Sequence, residues 1–282
     1  MDLIVETLRE LGGTASRGVL LRSCGRRAVE EAVRTGRVRR LARGRYVLPG
    51  GDADVQVALA LAGVLSHESA ALWWGWACGR LPHLPVVTVP RHRKVTEAQR
   101  RMADVRYADL APDEVDGRVT AAVRTVLDCA RCLPLGEALA VADAALRDGV
   151  TRDELAAAAM RGPRTGRPAA RRVVEVADAR AANAFESAAR AIGLDVPGLH
   201  LVPQLRVAAG ITPDLVDAGL RIVVECDSWT YHAEKSAFHR DLERYNELAL
   251  GGWLVLRLDR RHVVEQPAYV RDLLVRGVAR RR

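Results

Sequence analysis

Three carboxylates are spaced along the sequence so that they could converge at one end of a pair of strands. Glu225 and Asp227 lie two apart at the end of the apolar run 221–226, so on a strand their side chains point to the same face. If Ala218-Gly219 turns the chain into a hairpin, Asp214 falls near the same end. Converging carboxylates repel one another unless a proton or a cation lies among them, and oxygen ligands suit Mg²⁺ or Mn²⁺. We therefore expect a divalent-metal site with four ligands: Asp214, Glu225, the backbone carbonyl of Cys226, and Asp227.

Several short motifs accompany this hairpin between about Asn183 and Val278. They are Pro213-Asp214, Glu225-Cys226-Asp227, His232, Arg240-Asp241 and Gly252-Trp253-Leu-Val-Leu-Arg257. Their order and spacing resemble the Vsr-like (very-short-patch-repair) branch of the PD-(D/E)xK nuclease superfamily. The resemblance implies a restriction-endonuclease-like mixed sheet flanked by helices. It also implies that Asp214 and Glu225 ligate the metal, and that Glu186 is the acidic residue of the preceding helix.

The chain departs from that superfamily at one position, because Asp227 stands where a Lys is usual. Either Lys235 or His232 supplies the missing cation or general acid/base, or the site is catalytically degenerate. An imidazole exchanges protons near neutral pH, which suits His232 to acid/base work. Arg240 or Lys235 would stabilise the negative charge that develops when a phosphodiester is hydrolysed. The candidate catalytic residues are Asp214, Glu225, Asp227, His232, Glu186, Arg240 and Lys235.

Two further arginines lie near the predicted site. Arg244 shares a face of the predicted helix 236–250 with Arg240, where both could meet a phosphate, and Arg257 lies on the following strand. The alternative is that Arg240 and Arg244 form ordinary i, i+4 ion pairs, each worth about 0.3–0.5 kcal/mol. Asp214 and Asp227 could likewise be plain turn and strand-end residues.

The positive charge of the chain is concentrated at its N-terminus. The net charge is +8 and the pI about 9.8, and residues 1–50 hold eleven Arg against five Asp or Glu. A coding bias explains the choice of Arg over Lys but not the excess of positive charge. DNA is therefore the expected partner.

The N-terminal pattern predicts a winged helix-turn-helix over residues 1–50. Three short helices precede a basic hairpin around Ala42-Arg43-Gly44, and a solvated winged helix with a purely structural role is the alternative. The candidate nucleic-acid-binding residues on the third helix and the wing are Arg26, Arg27, Arg34, Arg39, Arg40, Arg43 and Arg45.

Residues 51–160 predict an α/β middle domain. Its Ser66-His-Glu-Ser-Ala-Ala71 segment and its Thr120 to Asp128 segment, following a winged helix, resemble the AbiEi-like antitoxins. That resemblance implies a transcriptional repressor of a type IV toxin–antitoxin operon, with a cognate toxin or a second copy as partner. His67 beside Glu68 could be a catalytic pair, although such a residue more often caps a helix or packs.

The expected architecture is α/β (α+β) with three domains. They are a winged helix at 1–50, a middle domain at 51–160 and a PD-(D/E)xK (Vsr-like) nuclease domain at 173–282. The twelve residues 161–172 hold two Pro, two Gly and five Arg, a composition typical of a basic linker.

Composition argues against other classes of protein. The sequence holds no apolar run of the roughly 20 residues that a membrane span needs, and no signal peptide is indicated, so we expect a cytoplasmic protein. The five Cys include Cys129 and Cys132, which read as two small apolar residues on one helix face. We expect no organic cofactor.

Two functions remain open from the sequence. The first is a DNA-binding, Mg²⁺-dependent endonuclease that its winged helix places on DNA. The second is a transcriptional repressor or antitoxin whose nuclease-like domain is inactive.

Overall fold

The protein has a mixed fold of helices and three separate sheets. The computed structural model describes residues 2–11, 13–42, 44–49, 51–227 and 235–282, with the backbone alone at 41, 42, 45, 51, 52 and 235–241. These residues form sheets of three, five and four strands, antiparallel or mixed, among numerous helices. The predicted α/β (α+β) class is confirmed. No helix of the described residues has the length and apolar character needed to cross a membrane.

The N-terminal region packs helices against a three-stranded sheet in the order β1-β3-β2. Its elements are α1 (Leu3–Glu10), β1 (Thr14–Ser16), α2 (Arg17–Arg34), β2 (Arg39–Ala42) and β3 (Arg45–Val47). The Ser16 hydroxyl accepts a hydrogen bond from the Val19 N–H and caps α2. Gly25, at φ 75°, kinks α2 into the two helical segments that the sequence pattern predicts. Three helical segments followed by a two-stranded wing result.

The middle region combines a five-stranded sheet with a helical layer. The sheet has the order β6-β5-β4-β8-β7. The elements of its first part are α3 (Gly51–Ala60), β4 (Val64–Leu65), α4 (His67–Trp74), β5 (Val86–Val89), α5 (Glu97–Arg100) and β6 (Asp104–Tyr107). Those of its second part are β7 (Val115–Asp116), β8 (Val119–Thr120), α6 (Ala122–Cys132), α7 (Leu135–Arg147), α8 (Arg152–Arg161) and α9 (Arg167–Val176).

Helix α9 replaces half of the predicted linker. We expected residues 161–172 to form a basic linker, but α9 begins at Arg167 and fully buries Ala170. Pro168 lies in the first turn of α9, where its missing N–H costs no helical hydrogen bond. Because Ala170 and Val173 share a core with residues of α6 and α7, the middle region extends past residue 172. The segment 177–183 separates α9 from the next helix.

The C-terminal region is built on a four-stranded sheet in the order β12-β11-β10-β9. Strands β9, β10 and β11 are antiparallel neighbours, whereas β12 runs parallel to β11. The elements are α10 (Ala184–Gly193), β9 (Val202–Pro203), β10 (Leu215–Asp217), β11 (Ile222–Asp227), α11 (Lys235–Leu250), β12 (Leu254–Asp259), α12 (Arg260–Glu265) and α13 (Pro267–Arg281). Alternate residues of β11 face opposite layers: Ile222 and Val224 pack with α10 and α13, and Val223 packs with α11.

Helices α7 and α10 join the middle region to the C-terminal sheet through small residues and one buried ion pair. A Cβ at Gly136 would lie 3.2 Å from the Ala188 Cα, so the two helix backbones approach closely. Arg190 and Asp143, whose side chains are 4% and 1% exposed, pair at 2.9 Å. Asp143 also accepts a hydrogen bond from the Ser187 hydroxyl at 2.8 Å. Helix α10 is therefore oriented by the middle region as well as by its own sheet.

The N-terminal region docks on the middle region at Gly13. This residue has φ +90°, and a Cβ there would lie 2.7 Å from Leu72 Cδ2 and 2.9 Å from Leu81 Cδ2. Only a residue without a side chain permits this approach. The guanidinium of Arg39 adds a second contact, 5.6 Å from the ring centroid of Trp73.

Candidate active site

The hairpin of β10 and β11 brings Asp214 beside Glu225. Leu215 pairs with Val224 in the antiparallel ladder, so Asp214, one residue earlier, lies opposite Glu225. The Cys226 N–H donates a hydrogen bond of 2.8 Å to Asp214 Oδ2. Glu225 and Asp227 lie on the same strand, two residues apart, as the sequence predicts. The predicted metal-binding acids therefore meet at one end of the sheet.

Glu186 reaches the same group from the first turn of α10. Its Oε1 accepts a hydrogen bond of 2.7 Å from Asn183 Nδ2, and its Oε2 accepts one of 2.9 Å from the Ala182 N–H. The Asn183 side chain also caps α10. A capping residue thus fixes both the start of the helix and the position of the acid.

Gln204 links the two halves of this acid cluster, which we define as Glu186, Asp214, Glu225 and Asp227. Its Nε2 donates to Glu186 Oε2 at 3.1 Å and to Asp214 Oδ1 at 3.2 Å. Its backbone has φ 52°, a left-handed conformation uncommon outside glycine. Sequence reasoning missed Gln204, and its only signal was an amide residue at the end of the apolar segment 199–203.

Burial and mutual repulsion raise the pKa values of three of these acids. Desolvation, reinforced by the charge of Asp214, raises the pKa of Glu186 to about 8 and that of Glu225 to about 7. Burial likewise raises the pKa of Asp214. Buried carboxylates of this kind retain a proton near neutral pH unless a cation compensates their charge. The cluster is therefore a place where protons and cations compete.

Two arginines contact the acid cluster. Arg244 of α11 donates to Glu225 Oε1 at 2.6 Å, and Arg257 of β12 donates through Nε to Asp227 Oδ2 at 2.7 Å. The guanidinium of Arg257 also lies 4.8 Å from the ring centroid of Tyr245. The sequence suggested that Arg244 faces a phosphate, but its guanidinium instead pairs with an acid, because α11 covers that face of the sheet.

The predicted metal ligands have suitable donor atoms but are spread apart. Among the described residues, no three His, Cys, Asp or Glu side chains lie close enough together to hold a metal ion. The donor chemistry nevertheless fits a hard divalent cation, because every proposed donor is a carboxylate or carbonyl oxygen. A cation beside Asp214 and Glu225 would also relieve the repulsion that raises their pKa values.

Three predicted catalytic groups cannot be assigned a place. His232 lies outside the described residues, as do the side chains of Lys235 and Arg240. Their roles stay predictions.

The N-terminal region presents part of its predicted basic surface to solvent. Arg26, Arg27, Arg34 and Arg40 are exposed. Arg26 pairs with Glu30 at 3.5 Å and Arg34 with Glu31 at 2.6 Å, and both pairs are open to solvent. A cleft of about 380 Å³ separates the second segment of α2 from β2 and is lined by Arg26, Arg34 and Arg40.

Arg39 behaves differently from its predicted neighbours. It was expected on the exposed wing, but it is half-buried and stacks over Trp73 of α4, because the wing docks on the middle region there. Arg43 lies outside the described residues, and so does the side chain of Arg45.

A separate polar group lies in the middle region. His67 is buried, its Nδ1 lies 2.9 Å from Ser66 Oγ, and its Nε2 lies 3.8 Å from the sulfur of Cys132. Burial lowers the pKa of His67 and raises that of Cys132, so both groups are neutral at pH 7. The two side chains therefore do not form a thiolate–imidazolium ion pair, which agrees with a packing role for His67.

Comparisons with known proteins give relatives without an assigned role. The chain is 33% identical over 176 residues to two Mycobacterium tuberculosis proteins, uncharacterized protein Rv2248 and uncharacterized protein MT2308. The match covers 60% of this chain and 65% of each relative, so it spans just under two thirds of their length. No family model matches the chain.

A solved structure is also similar at a low level. The crystal structure of the RV2827C protein from Mycobacterium tuberculosis is 15% identical, with a TM-score of 0.34 over 62% of this chain and 75% of that chain. At that score the likeness supports no statement about fold or function.

Proposed function

We propose that the protein is a DNA-binding, divalent-metal-dependent endonuclease that hydrolyses phosphodiester bonds. The observation that carries the proposal is the acid cluster. Glu186, Asp214 and Glu225 are brought together from a helix and two strands, and their pKa values are raised by burial and by one another. Buried like charges are costly to a fold, and strongly perturbed acids are concentrated at functional sites.

The groups proposed to hold Mg²⁺ or Mn²⁺ are Asp214, Glu225, the Cys226 carbonyl and Asp227. When bound, the ion would supply a Lewis acid for the phosphate and a more acidic water. Gln204 orients Asp214 and Glu186 through one amide, and Asn183 holds Glu186 in place. Arg244 lies within hydrogen-bond distance of Glu225 and is the nearest described cation to that acid. His232, Lys235 and Arg240 stay candidates for proton transfer and charge stabilisation.

The winged helix is proposed to place the enzyme on DNA. Its exposed arginines Arg26, Arg27, Arg34 and Arg40 offer guanidinium groups to phosphates and base edges. Six of the eight net positive charges of the chain lie in residues 1–50. A function on DNA requires a location where DNA is accessible, and we propose the cytoplasm.

A second function is favoured by the ion pairs at the acid cluster. Arg244 and Arg257 already neutralise Glu225 and Asp227, as they would in a site that no longer needs a cation. The protein would then be a transcriptional repressor or antitoxin with an inactive nuclease-like domain. Its partner would be a cognate toxin or a second copy of the chain.

Cleavage of supercoiled plasmid distinguishes the two functions. The wild type, Asp214→Asn and Glu225→Gln are incubated with Mg²⁺, Mn²⁺ or EDTA. Asp272→Asn, which removes an exposed acid on α13, is the matched control. Metal-dependent nicking that is lost in the first two variants and kept in the control supports the nuclease.

Gel shifts with fragments of the same plasmid measure DNA binding and complete the test. A wild type that never cuts, but binds DNA through Arg26 and Arg27, would favour the repressor. The variant for this arm is Arg26→Ala/Arg27→Ala, because Arg39 stacks on Trp73 and its loss would also disturb the docking of the wing.

A further inference from the structure

A cleft lies between the N-terminal helix and the end of the C-terminal sheet at which β11 and β12 terminate. Its volume is about 290 Å³. Helix α1 and the residue after it form one wall, and the starts of α10 and α12 form the other. Its lining residues include Glu10, Leu11, Asn183, Phe185, Arg260 and Arg261.

This cleft adjoins the acid cluster through two hydrogen-bonded groups. Asn183, on its wall, donates to Glu186 Oε1 at 2.7 Å. Cys226, also on its wall, donates through its backbone N–H to Asp214 Oδ2 at 2.8 Å. A molecule in the cleft would therefore contact residues that hydrogen-bond directly to two of the buried acids, Glu186 and Asp214.

A second cleft continues the first toward the wing. It has a volume of about 430 Å³, shares Leu11 and Asn183 with the first, and extends to Ser16 and Gly44. Gly44 lies in the turn between β2 and β3, which is the tip of the wing. The two clefts together form a path from the wing to the acid cluster.

The charged groups along this path select for a polyanion. Arg147, Arg260 and Arg261 line it, and Glu10 is the one acid among its lining residues in the described part of the chain. Arg147 also donates to the Ala181 carbonyl, and Arg261 forms an exposed pair with Glu265 at 3.5 Å. Arginine matches phosphate oxygens through a planar fork of donors. Phe185 is half-buried and forms part of the wall, where an aromatic ring can stack on a base.

The aromatic wall of the path selects for one strand. The bases of a duplex are paired and stacked on one another, so they are not free to stack on Phe185. A single strand, with its bases turned against aromatic and apolar walls, fits such a groove.

We propose that this path binds a single strand of DNA next to the duplex held by the winged helix. Arg260 and Arg261 contact its phosphates, and Phe185 stacks on a base. The substrate class is then DNA with an unpaired strand, such as a fork or flap. The step from binding to cleavage rests on the proposed nuclease function, whereas strand binding does not.

Fluorescence anisotropy with a labelled single-stranded oligonucleotide in EDTA tests the binding. Arg260→Ala/Arg261→Ala is compared with Arg271→Ala/Arg276→Ala, which removes the same charge from α13, away from the cleft. Losing two phosphate contacts should lower the slope of log affinity against log salt by about 1.4 for the first variant, and leave it unchanged for the second. Equal losses in both variants would overturn the inference.

Photocrosslinking locates the strand independently of affinity. An oligonucleotide carrying 5-iododeoxyuridine should crosslink to the tryptic peptide 181–190, which contains Phe185. Phe185→Leu keeps an apolar side chain in the core and should abolish that crosslink. Crosslinks confined to residues 1–50 would contradict the proposed path.

These measurements separate the inference from the nuclease proposal. Because binding is measured in EDTA, a wild type that cuts plasmid but does not bind a single strand overturns only the strand path. A wild type that binds the strand through Arg260 and Arg261 but never cuts plasmid supports the strand path and overturns the nuclease proposal.

Discussion

Two of the buried acids depend on one amide donor. Gln204 donates to Glu186 and to Asp214, and it does so from a left-handed backbone at φ 52°. A buried acceptor that loses its donor costs about 1–3 kcal/mol. Separately, every residue except glycine, Gln204 included, bears the strain of this left-handed backbone.

Substitutions of Gln204 separate the two effects. Gln204→Ala and Gln204→Gly both lose the amide, but only glycine relieves the backbone. We expect both variants to be less stable than the wild type, and Gln204→Gly to be more stable than Gln204→Ala by about 1 kcal/mol. Urea unfolding measures the difference. An alanine variant as stable as the glycine variant would show that the backbone is not strained.

The raised pKa of Glu186 makes stability depend on pH. Burial and Asp214 raise this pKa from 4.5 to about 8, so folding favours the protonated acid. The resulting stability is fully present below pH 4.5 and is lost as pH rises through 8. We expect the melting temperature in EDTA to fall between these values in the wild type and to fall less in Glu186→Gln.

The control for this titration is Glu247→Gln, an exposed position on α11. This variant should follow the wild type at every pH. If Glu186→Gln also follows the wild type, Glu186 does not take up a proton in the folded protein. Added Mg²⁺ should flatten the wild-type curve, because a cation bound at Asp214 would offset the repulsion that raises the pKa of Glu186.

The acids and one of their partners, Arg257 on the neighbouring strand, were predictable from the sequence, and the contacts of Gln204 and Arg244 with the acids were not. Period-two alternation and a turn signal were enough to place Asp214, Glu225 and Asp227 at one end of a hairpin. Gln204 is ten residues from Asp214 in sequence, and Arg244 comes from a helix packed across the sheet. Such contacts depend on tertiary packing, which local patterns do not encode.

At the scale of elements, helices α7 and α10 form the main connection between the middle region and the acid cluster. Glu186 lies on α10, four residues before Arg190, and Arg190 is fixed by the buried Asp143 of α7. The position and orientation of Glu186 therefore depend on α7, a helix of the middle region.

Breaking this ion pair from one side should be costly. Arg190→Met leaves Asp143 buried without its cation and should reduce the free energy of unfolding by about 3–5 kcal/mol. Arg190→Met/Asp143→Leu removes both charges and should be less destabilised than the single variant. Chemical unfolding of the two variants tests the coupling, and simple additivity would argue against a buried pair.

The elements themselves were predicted unevenly. The helix predicted over 236–250, observed as α11, and the strand pair β10–β11 were expected near their observed positions. The first six residues of α9 fall in the predicted linker, because the Pro, Gly and Arg content of residues 161–172 resembles that of loops. Pro168 and Gly166 instead mark the beginning of a helix, and the buried face of that helix contains only small or branched residues.

At the scale of the whole molecule, Gly13 determines how closely the N-terminal region approaches the middle region. A side chain there would collide with Leu72 and Leu81. Gly36, at φ +72°, is a matched control, because a Cβ there would meet no atom within 4 Å. Gly13→Ala and Gly36→Ala therefore share backbone strain and differ in the collision.

We expect Gly13→Ala to be the more destabilising of the two. Gly36→Ala should cost about 1 kcal/mol for its backbone alone, and Gly13→Ala should cost more and loosen the winged helix. Limited proteolysis around residues 47–52, with thermal unfolding, measures both effects. Identical behaviour of the two variants would mean that the contact with Leu72 and Leu81 adjusts freely.

The docking at Gly13 and the close packing of α7 on α10 together give the protein a fixed internal length. These contacts and the stacking of Arg39 on Trp73 hold the wing against the middle region, so the span from its tip to the acid cluster would act as a ruler. For the proposed nuclease, cut ends mapped on many different DNAs would then share a single offset from the bound sequence, counted in nucleotides. A loosened variant such as Gly13→Ala would blur that offset into a distribution.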